Sequence, residues 1–334
     1  MKQARLFLLL FVFLMSCSSP IERQQFSGNA LGTTYTILTY ASTSIELDQE
    51  LSGLFDRLNQ SMSTYHTNSD ISRINRGDSL VQVDSLFRFV FNLSNEVYVN
   101  SSGYFDPTVG VLVNAWGFGP SEQVSLESQM LDSLKRYVGF DKVRLDNNGR
   151  VIKANPSIQF DFNAIAKGYA LDLIAEILNQ KGVENYLIEL GGEIVAKGIN
   201  VERSGPWVVG IDDPLAEEGA RELTRIIPLS DAAMATSGNY RKFRMDPISG
   251  KKYAHTINPI TGRAEPSNVL SASVIASDCA TADAYATALM AMPMDVSLLM
   301  IDKLSELSVY LIYVDSDGET IKTYESGLFK VDVE

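Results

Sequence analysis

The chain is 334 residues long, 45% hydrophobic and 21% charged, with a formal net charge of −13. A length of this order buries a large core without covalent cross-links, and the acid excess argues against a nucleic-acid partner, which needs a basic surface. Two cysteines, Cys17 and Cys279, and two histidines, His66 and His255, are too few for a disulfide framework or a histidine-rich metal site.

The first residues read as a secretory leader. Lys2 and Arg5 precede an apolar run from Leu6 to Leu14, which ends in Leu14-Met15-Ser16-Cys17. A basic start, a short apolar stretch and small residues before a cut describe a signal peptide, and the run is too short for a permanent membrane span. The cysteine at the cut resembles a bacterial lipoprotein signal, in which residues 1–16 are removed and Cys17 is lipidated. An ordinary signal with an incidental cysteine is the other reading. Residues 17–26 are expected to be the lipidated cysteine and a tether, beginning Ser18-Ser19-Pro20, and residues 27–334 the folded domain. The expected location is a bacterial membrane, lipid-anchored and facing the periplasm or the exterior. With Cys17 so used, Cys279 has no intramolecular partner and reads as a buried small hydrophobe.

Leu31 to Tyr40 is β-branched and aromatic and predicts a strand. Leu47, Leu51, Leu54, Phe55, Leu58 and Met62 mark a first long helix, and Leu86, Phe89, Val90, Leu93 and Val97 a second that ends near Gly103. A third is expected from an N-cap at Ser125 to Val138. Lys142 to Ala154 reads as a hairpin around Asn147-Asn148-Gly149. The segment Asp161–Gly168 opens an amphipathic helix, with Ile165, Tyr169, Leu173, Ile174, Ile177 and Leu178 on one side and Gly182 as its stop. Strands follow at Tyr186–Leu190, Trp207–Ile211, Leu223–Pro228 and Val269–Ala276, then helices over Thr281–Met292 and Val296–Leu304. Val309–Val314 and Thr320–Tyr324 close the chain as a hairpin around Asp317-Gly318. Helices and strands mix without strict alternation, which predicts an α+β fold. No G-x-G-x-x-G follows a strand and no Walker A loop exists.

Four places carry chemistry. A helix N-terminus is partly positive and prefers acids in its first turn, yet the first turn of the Asp161–Gly168 helix holds Lys167, with Asp161 just before it. An added cation makes sense where an anion docks on the helix end; a lysine that snorkels to solvent is the other reading. In Ala282-Asp283-Ala284-Tyr285-Ala286-Thr287, Asp283 and Thr287 share a helix face and offer hard oxygens suited to Mg²⁺ or Ca²⁺; the bland alternative is an ordinary helical aspartate. His255, before Thr256-Ile257-Asn258-Pro259, sits where an imidazole can exchange protons near neutral pH, or is a structural loop histidine. Upstream, Ala235-Thr236-Ser237-Gly238 has the residues of a ligand-lining loop. Gly103-Tyr104-Phe105-Asp106-Pro107 and Tyr65 offer aromatics for a planar ring, though such a stretch is more often core plus turn.

Taken in order, Leu31-Gly32-Thr33-Thr34, Ser63-Thr64-Tyr65, Phe105-Asp106-Pro107-Thr108-Val109-Gly110, Ala164-Ile165-Ala166-Lys167-Gly168, Gly191-Gly192-Glu193, Ala235-Thr236-Ser237-Gly238, His255-Thr256-Ile257 and Ala282-Asp283-Ala284 with Thr287 resemble the successive motifs of the ApbE-type FAD:protein FMN transferases. The resemblance runs from about residue 27 to 330. It implies an ApbE-like, T-fold-related α+β fold of mixed sheet and helix lobes with a cofactor cleft between them. It further implies transfer of FMN from FAD to a Ser/Thr hydroxyl of exported or membrane redox proteins, dependent on Mg²⁺ (Ca²⁺ being an alternative), with release of AMP. By the same resemblance Leu31, Tyr65, Tyr104, Phe105, Asp106, Asp161, Lys167 and Thr256 contact FAD. The Ala164 carbonyl, Asp283 and Thr287 hold the metal, and His255 is catalytic. Leu31 stands where Met is usual, Tyr104 where Ala is common, Asn163 for Gly or Ser and Asn258 for Asp. The rival functions are FAD hydrolysis to FMN and AMP at the same site, and a non-catalytic FAD-binding lipoprotein.

Overall fold

The computed structural model describes residues 20–120, 128–217, 222–238, 243–245, 252–254, 256–264 and 267–330. Cys17, Ser125 and His255 lie outside the described residues.

The described chain opens on a hairpin of β1 (Glu22–Ala30) and β2 (Thr33–Ala41). The strand expected from Leu31 therefore starts at Thr33, and Leu31 (φ 49°) with Gly32 (φ 79°) makes the turn. A two-residue loop with both φ positive has the twist that its flanking strands require. Gly32 adopts that conformation freely, whereas Leu31 is held in it against its own preference. This hairpin also corrects the tether expected over residues 17–26. Glu22 already pairs with Ala41 and Phe26 with Ile37, and backbone groups bonded to a neighbouring strand belong to the fold.

The helical half follows. Helix α1 (Asp48–Met62) buries Leu51, Leu54, Phe55, Leu58 and Met62, the face read from the sequence. After the short α2 (Asp70–Asn75) comes α3 (Ser85–Asn100), capped by Asp84, whose Oδ1 accepts from Phe87 N at 2.8 Å. The short α4 (Gly110–Ala115) and α5 (Ser128–Lys135) precede the expected hairpin, here β3 (Val143–Leu145) and β4 (Val151–Lys153). Helix α6 (Ala166–Gln180) begins later than expected: Asp161–Ile165 form a turn before it, and Ile165, the cap residue, makes no side-chain capping bond.

The remaining elements build the sheet. They are β5 (Asn185–Leu190), β6 (Glu193–Lys197), the ribbon of β7 (Trp207–Asp212) and β8 (Leu223–Leu229), β9 (Ala232–Gly238), the pair β10 (Phe243–Met245) and β11 (Lys252–Ala254), and β12 (Val269–Ala276). Two helices, α7 (Cys279–Ala291) and α8 (Met294–Ile301), then lead to β13 (Ser308–Val314) and β14 (Ile321–Glu325). Eight strands pair antiparallel in the order β1-β2-β5-β6-β9-β12-β13-β14. One face packs against α1, α3, α6 and α7 in the main core. The other carries a second core, where Trp207, Ile211, Ile227 and Leu229 of the ribbon meet Tyr40, Met234, Tyr310 and Phe329. The α+β expectation is borne out. No helix among the described residues is long and apolar enough to cross a membrane.

Helix α7 packs on the sheet beside α6 and is buried nearly all round, as its alanines allow. A helix apolar on every side belongs in the interior. Its approach to α6 is backbone on backbone: a Cβ added to Gly168 would lie 2.2 Å from the Cys279 carbonyl oxygen and 2.6 Å from its carbon. Asp172, one turn further along α6, fixes the contact. Its Oδ1 accepts from Cys279 N at 2.7 Å and its Oδ2 from Ala280 N at 2.9 Å, so one helix caps the other. Gly168→Ala should therefore force α6 and α7 apart and destabilise the protein by about 2–3 kcal/mol, beyond the small helix-propensity gain of alanine. Urea unfolding measures this, and an unchanged midpoint would show that the two backbones do not touch.

Candidate functional site

The first turn of α6, the start of β6 and the middle of α7 converge. Lys167 Nζ hydrogen-bonds Glu193 Oε1 and lies 3.8 Å from Asp283 Oδ2. The same Asp283 oxygen accepts from Gly168 N at 3.1 Å. Both carboxylates are buried, and the lysine is only partly covered. Burial opposes a charged lysine, yet the Asp283 and Glu193 carboxylates overcome that and hold the Lys167 ammonium above its ordinary pKa. Burial acts in the opposite sense on Glu193: it pushes the carboxyl up to about 7, against the pull of Lys167 and with the push of Asp283. One ammonium faces two carboxylates in a space poor in water, so the cluster has capacity for a further cation.

The Leu31 turn packs beside this cluster. Gly191 N donates to Thr34 O at 3.1 Å, and a Cβ on Gly191 would meet Thr33 Cγ2 at 2.9 Å. Gly191 (φ 62°) and Gly192 (φ 105°) bring the chain round so that Glu193 starts β6 pointing inward. On the far side of Asp283, Thr287 Oγ1 lies 3.5 Å from Ser237 Oγ at the end of β9. Thr236 and Ser273 share a hydrogen bond of 2.8 Å between neighbouring strands.

A second group of expected site residues lies in the loops before α6. Tyr65 is 60% exposed and donates to the Phe118 carbonyl at 3.3 Å. Burial and then the charge of Asp161 raise its phenol pKa. Asp161 is buried and held by its own turn: Oδ1 accepts from Asn163 N at 2.8 Å and Oδ2 from Asn163 Nδ2 at 3.2 Å. Its carboxyl is raised by burial, against those bonds. Phe105 is buried and Tyr104 half-buried. Asp106 Oδ1 accepts from Thr108 N at 2.8 Å and from Thr108 Oγ1 at 2.6 Å, and Thr108 Oγ1 accepts from Gly139 N at 2.7 Å. The Asp106 carboxylate thus organises its own loop. Thr256 is half-buried, next to Ile257, which enters a small core with Val111, Leu112, Leu131, Val138 and Ala264.

Among the described residues, no group of three or more His, Cys, Asp or Glu converges to hold a metal ion by itself. The oxygens around Asp283 nevertheless suit a hard divalent cation that completes its shell from a bound ligand. Gly168 N, a first-turn amide of α6 with no intrahelical partner, is capped by Asp283. Among the described residues no donor is bonded to the Ala164 carbonyl. Among the described residues, Thr287 Oγ1 has one long contact, with Ser237. The set is carbonyl, carboxylate and hydroxyl, with no soft donor. Cys279 is buried, with its thiol pushed well above the ordinary range by burial, and is no nucleophile. Glu193 is the member of the cluster to which sequence reading gave no role, although an acid directly after two glycines was a visible signal.

The ApbE family model matches residues 31–311, and the chain belongs to that family. It is 34% identical over 96% of its length to a Vibrio cholerae protein named FAD:protein FMN transferase, of which it covers 95%. A Haemophilus influenzae protein of the same name is 33% identical, with 95% of this chain and 93% of that one covered. The solved flavin transferase ApbE from Vibrio cholerae superposes with a TM-score of 0.82 at 33% identity, covering 93% of this chain and 99% of its own. The ApbE-like fold expected from the motifs is therefore the fold of this chain.

Burial pushes the Asp106 carboxyl up from 3.8 to about 6, against the Thr108 bonds. A buried acid with a raised pKa favours folding while it is neutral and opposes it once ionised. The stabilisation is full below about pH 4 and is lost as pH rises through about 6. Between pH 4.5 and 7.5 the wild type should lose about 2 kcal/mol of stability relative to Asp106→Asn. Parallel urea-unfolding series would read this difference, and two curves with the same pH slope would refute it.

Proposed function

We propose that this member of the ApbE family transfers FMN from FAD to a Ser or Thr hydroxyl of exported or membrane redox proteins, with Mg²⁺ bound and AMP released. The observation that carries the reading is the convergence of Lys167, Glu193 and Asp283 at the α6–α7 contact, with the Ala164 carbonyl and the Thr287 hydroxyl left open for a cation. Ala164, Asp283 and Thr287 would hold the ion, which supplies charge neutralisation on the pyrophosphate when bound. Lys167 supplies a fixed positive charge on the same pyrophosphate, which the acidic surface as a whole would repel. Leu31, Tyr65, Tyr104, Phe105, Asp106, Asp161 and Thr256 are assigned to the rest of FAD, by contact or by shaping the loops that contact it.

In the reaction the acceptor hydroxyl oxygen attacks the FMN-side phosphorus. The bond from that phosphorus to the bridging oxygen breaks, and AMP leaves with the bridge. The hydroxyl proton passes to His255, placed as general base by its motif. The leader before Cys17 supports a lipid-anchored enzyme on the outer side of a bacterial membrane, where exported acceptors are met.

The test mixes the protein with FAD, Mg²⁺ and a flavin-acceptor domain and looks for a covalent fluorescent adduct on the acceptor. Labelling is expected with Mg²⁺ and not with EDTA, and Asp283→Ala should lose about a hundredfold in rate or more. AMP release without acceptor labelling would replace transfer by FAD hydrolysis, and bound FAD without turnover would make the protein a carrier. His255→Ala should keep FAD affinity and lose transfer; surviving transfer would remove His255 from the role of base.

A further inference from the structure

Glu193 is the charged residue of the cluster that the proposed mechanism leaves unused. It is 5% exposed, and Gly191 and Gly192 fix where it enters the interior. Its Oε2 is buried without a hydrogen-bond partner, so the hydrogen bond this carboxylate makes runs from Lys167 to Oε1. Burying a carboxylate with one oxygen unsatisfied is costly, and among the described residues Glu193 is the carboxylate that bears that cost.

Lys167 has two carboxylates within reach and uses them unequally. It bonds to Glu193 directly but stays 3.8 Å from Asp283 Oδ2. Asp283 is the carboxylate assigned to the divalent ion. An ammonium in direct contact with that carboxylate would occupy its oxygen and repel an incoming cation, strongly so where water is scarce. Among the described residues, Glu193 and Asp283 are the two acids that pair with Lys167. If the Glu193 charge is removed, Asp283 is the carboxylate left for the lysine to close upon.

We propose that Glu193 is a positioning residue that holds Lys167 away from Asp283, keeping the Asp283 carboxylate open to the divalent ion while the lysine stays beside the same anionic ligand. Two positive charges, one mobile and one on a side chain, then share a small site without competing for one oxygen. This inference rests on the metal reading above.

The experiment is Mn²⁺ uptake by the full chain with saturating FAD, followed through the electron-paramagnetic-resonance signal of free Mn²⁺. E193Q keeps the size and the acceptor oxygen but loses the charge, and it should weaken Mn²⁺ binding by about tenfold. K167M should bind Mn²⁺ at least as well as the wild type. The double variant should match K167M, because Glu193 has nothing to hold once the lysine is gone. Unchanged Mn²⁺ affinity in E193Q overturns the inference, and so does a double variant as weak as E193Q, which would place Glu193 on the ion itself. If E193Q does not fold, K167M and the double variant carry the comparison, and a loss on adding E193Q to K167M overturns it. Wild-type protein that takes up no Mn²⁺ would overturn the metal reading first and this inference with it.

Discussion

The site depends on one close approach, that of α6 to α7 at Gly168. Because Gly168 has no side chain, the Cys279 carbonyl can sit where a Cβ would be, and the two helices meet backbone to backbone. Several features of the site follow from that contact. Gly168 N comes within 3.1 Å of Asp283 Oδ2. Asp283 thereby caps one of the free first-turn amides of α6. Lys167, one residue earlier, is carried between Glu193 and Asp283. Asp172 locks the arrangement by accepting from two amides of α7, although burial raises its own carboxyl to about 7 against those bonds. A helix N-terminus capped by a carboxylate from a neighbouring helix is a strong anchor, because both partners are charged or partly charged.

The electrostatics resolve the oddity of a lysine in the first turn of a helix. An isolated lysine there would oppose the helix dipole, and this one is outnumbered by acids instead. Together the two buried carboxylates exceed the single ammonium, so the site on its own favours cations. On the proposed reading, an anionic pyrophosphate would enter together with the divalent ion. The same proposal would derive a preference for a metal–nucleotide pair from charge count in a confined space, and the net charge of −13 on the whole chain discourages unaccompanied polyanions.

Much of the fold was legible because the long elements carry strong patterns. The apolar positions of α1 and most of those of α3 and α6 fall on the buried faces, although in α3 Phe89 is exposed and Phe87 and Phe91 are buried instead, and the β3–β4 and β13–β14 hairpins form around the turns expected for them. The misreadings share a cause, namely that position in the fold overrode local preference. Leu31 looks like a strand residue but sits in a turn at positive φ. Asp161 looks like the opening of a helix, yet its side chain closes a turn on Asn163 and the helix waits until Ala166. Helices α2 and α4 are six residues each, too short to show a period. Asp283 and Thr287 were legible as one helix face. Glu193 was not, since only the sheet and α6 together show that its side chain meets Lys167.

Helix α7 also explains why site residues so far apart in sequence belong to one machine. Its N-terminus is capped by Asp278 and Asp172, and its middle carries Asp283 and Thr287. Its C-terminus receives Asn258 Nδ2 on the Ala291 carbonyl at 3.0 Å and Ser267 Oγ on the Met290 carbonyl at 2.6 Å. Asn258 stands three residues after His255, and the same loop is pinned from its other side by Trp116 Nε1, which donates to the Gly262 carbonyl at 2.9 Å. The segment that follows the expected base is therefore fixed to the helix that carries the expected metal ligands. A shift of α7 along its axis would move Asp283, Thr287 and the Asn258–Gly262 loop together. Such coupling fixes their relative placement, which the proposed transfer would require for a positioned attack.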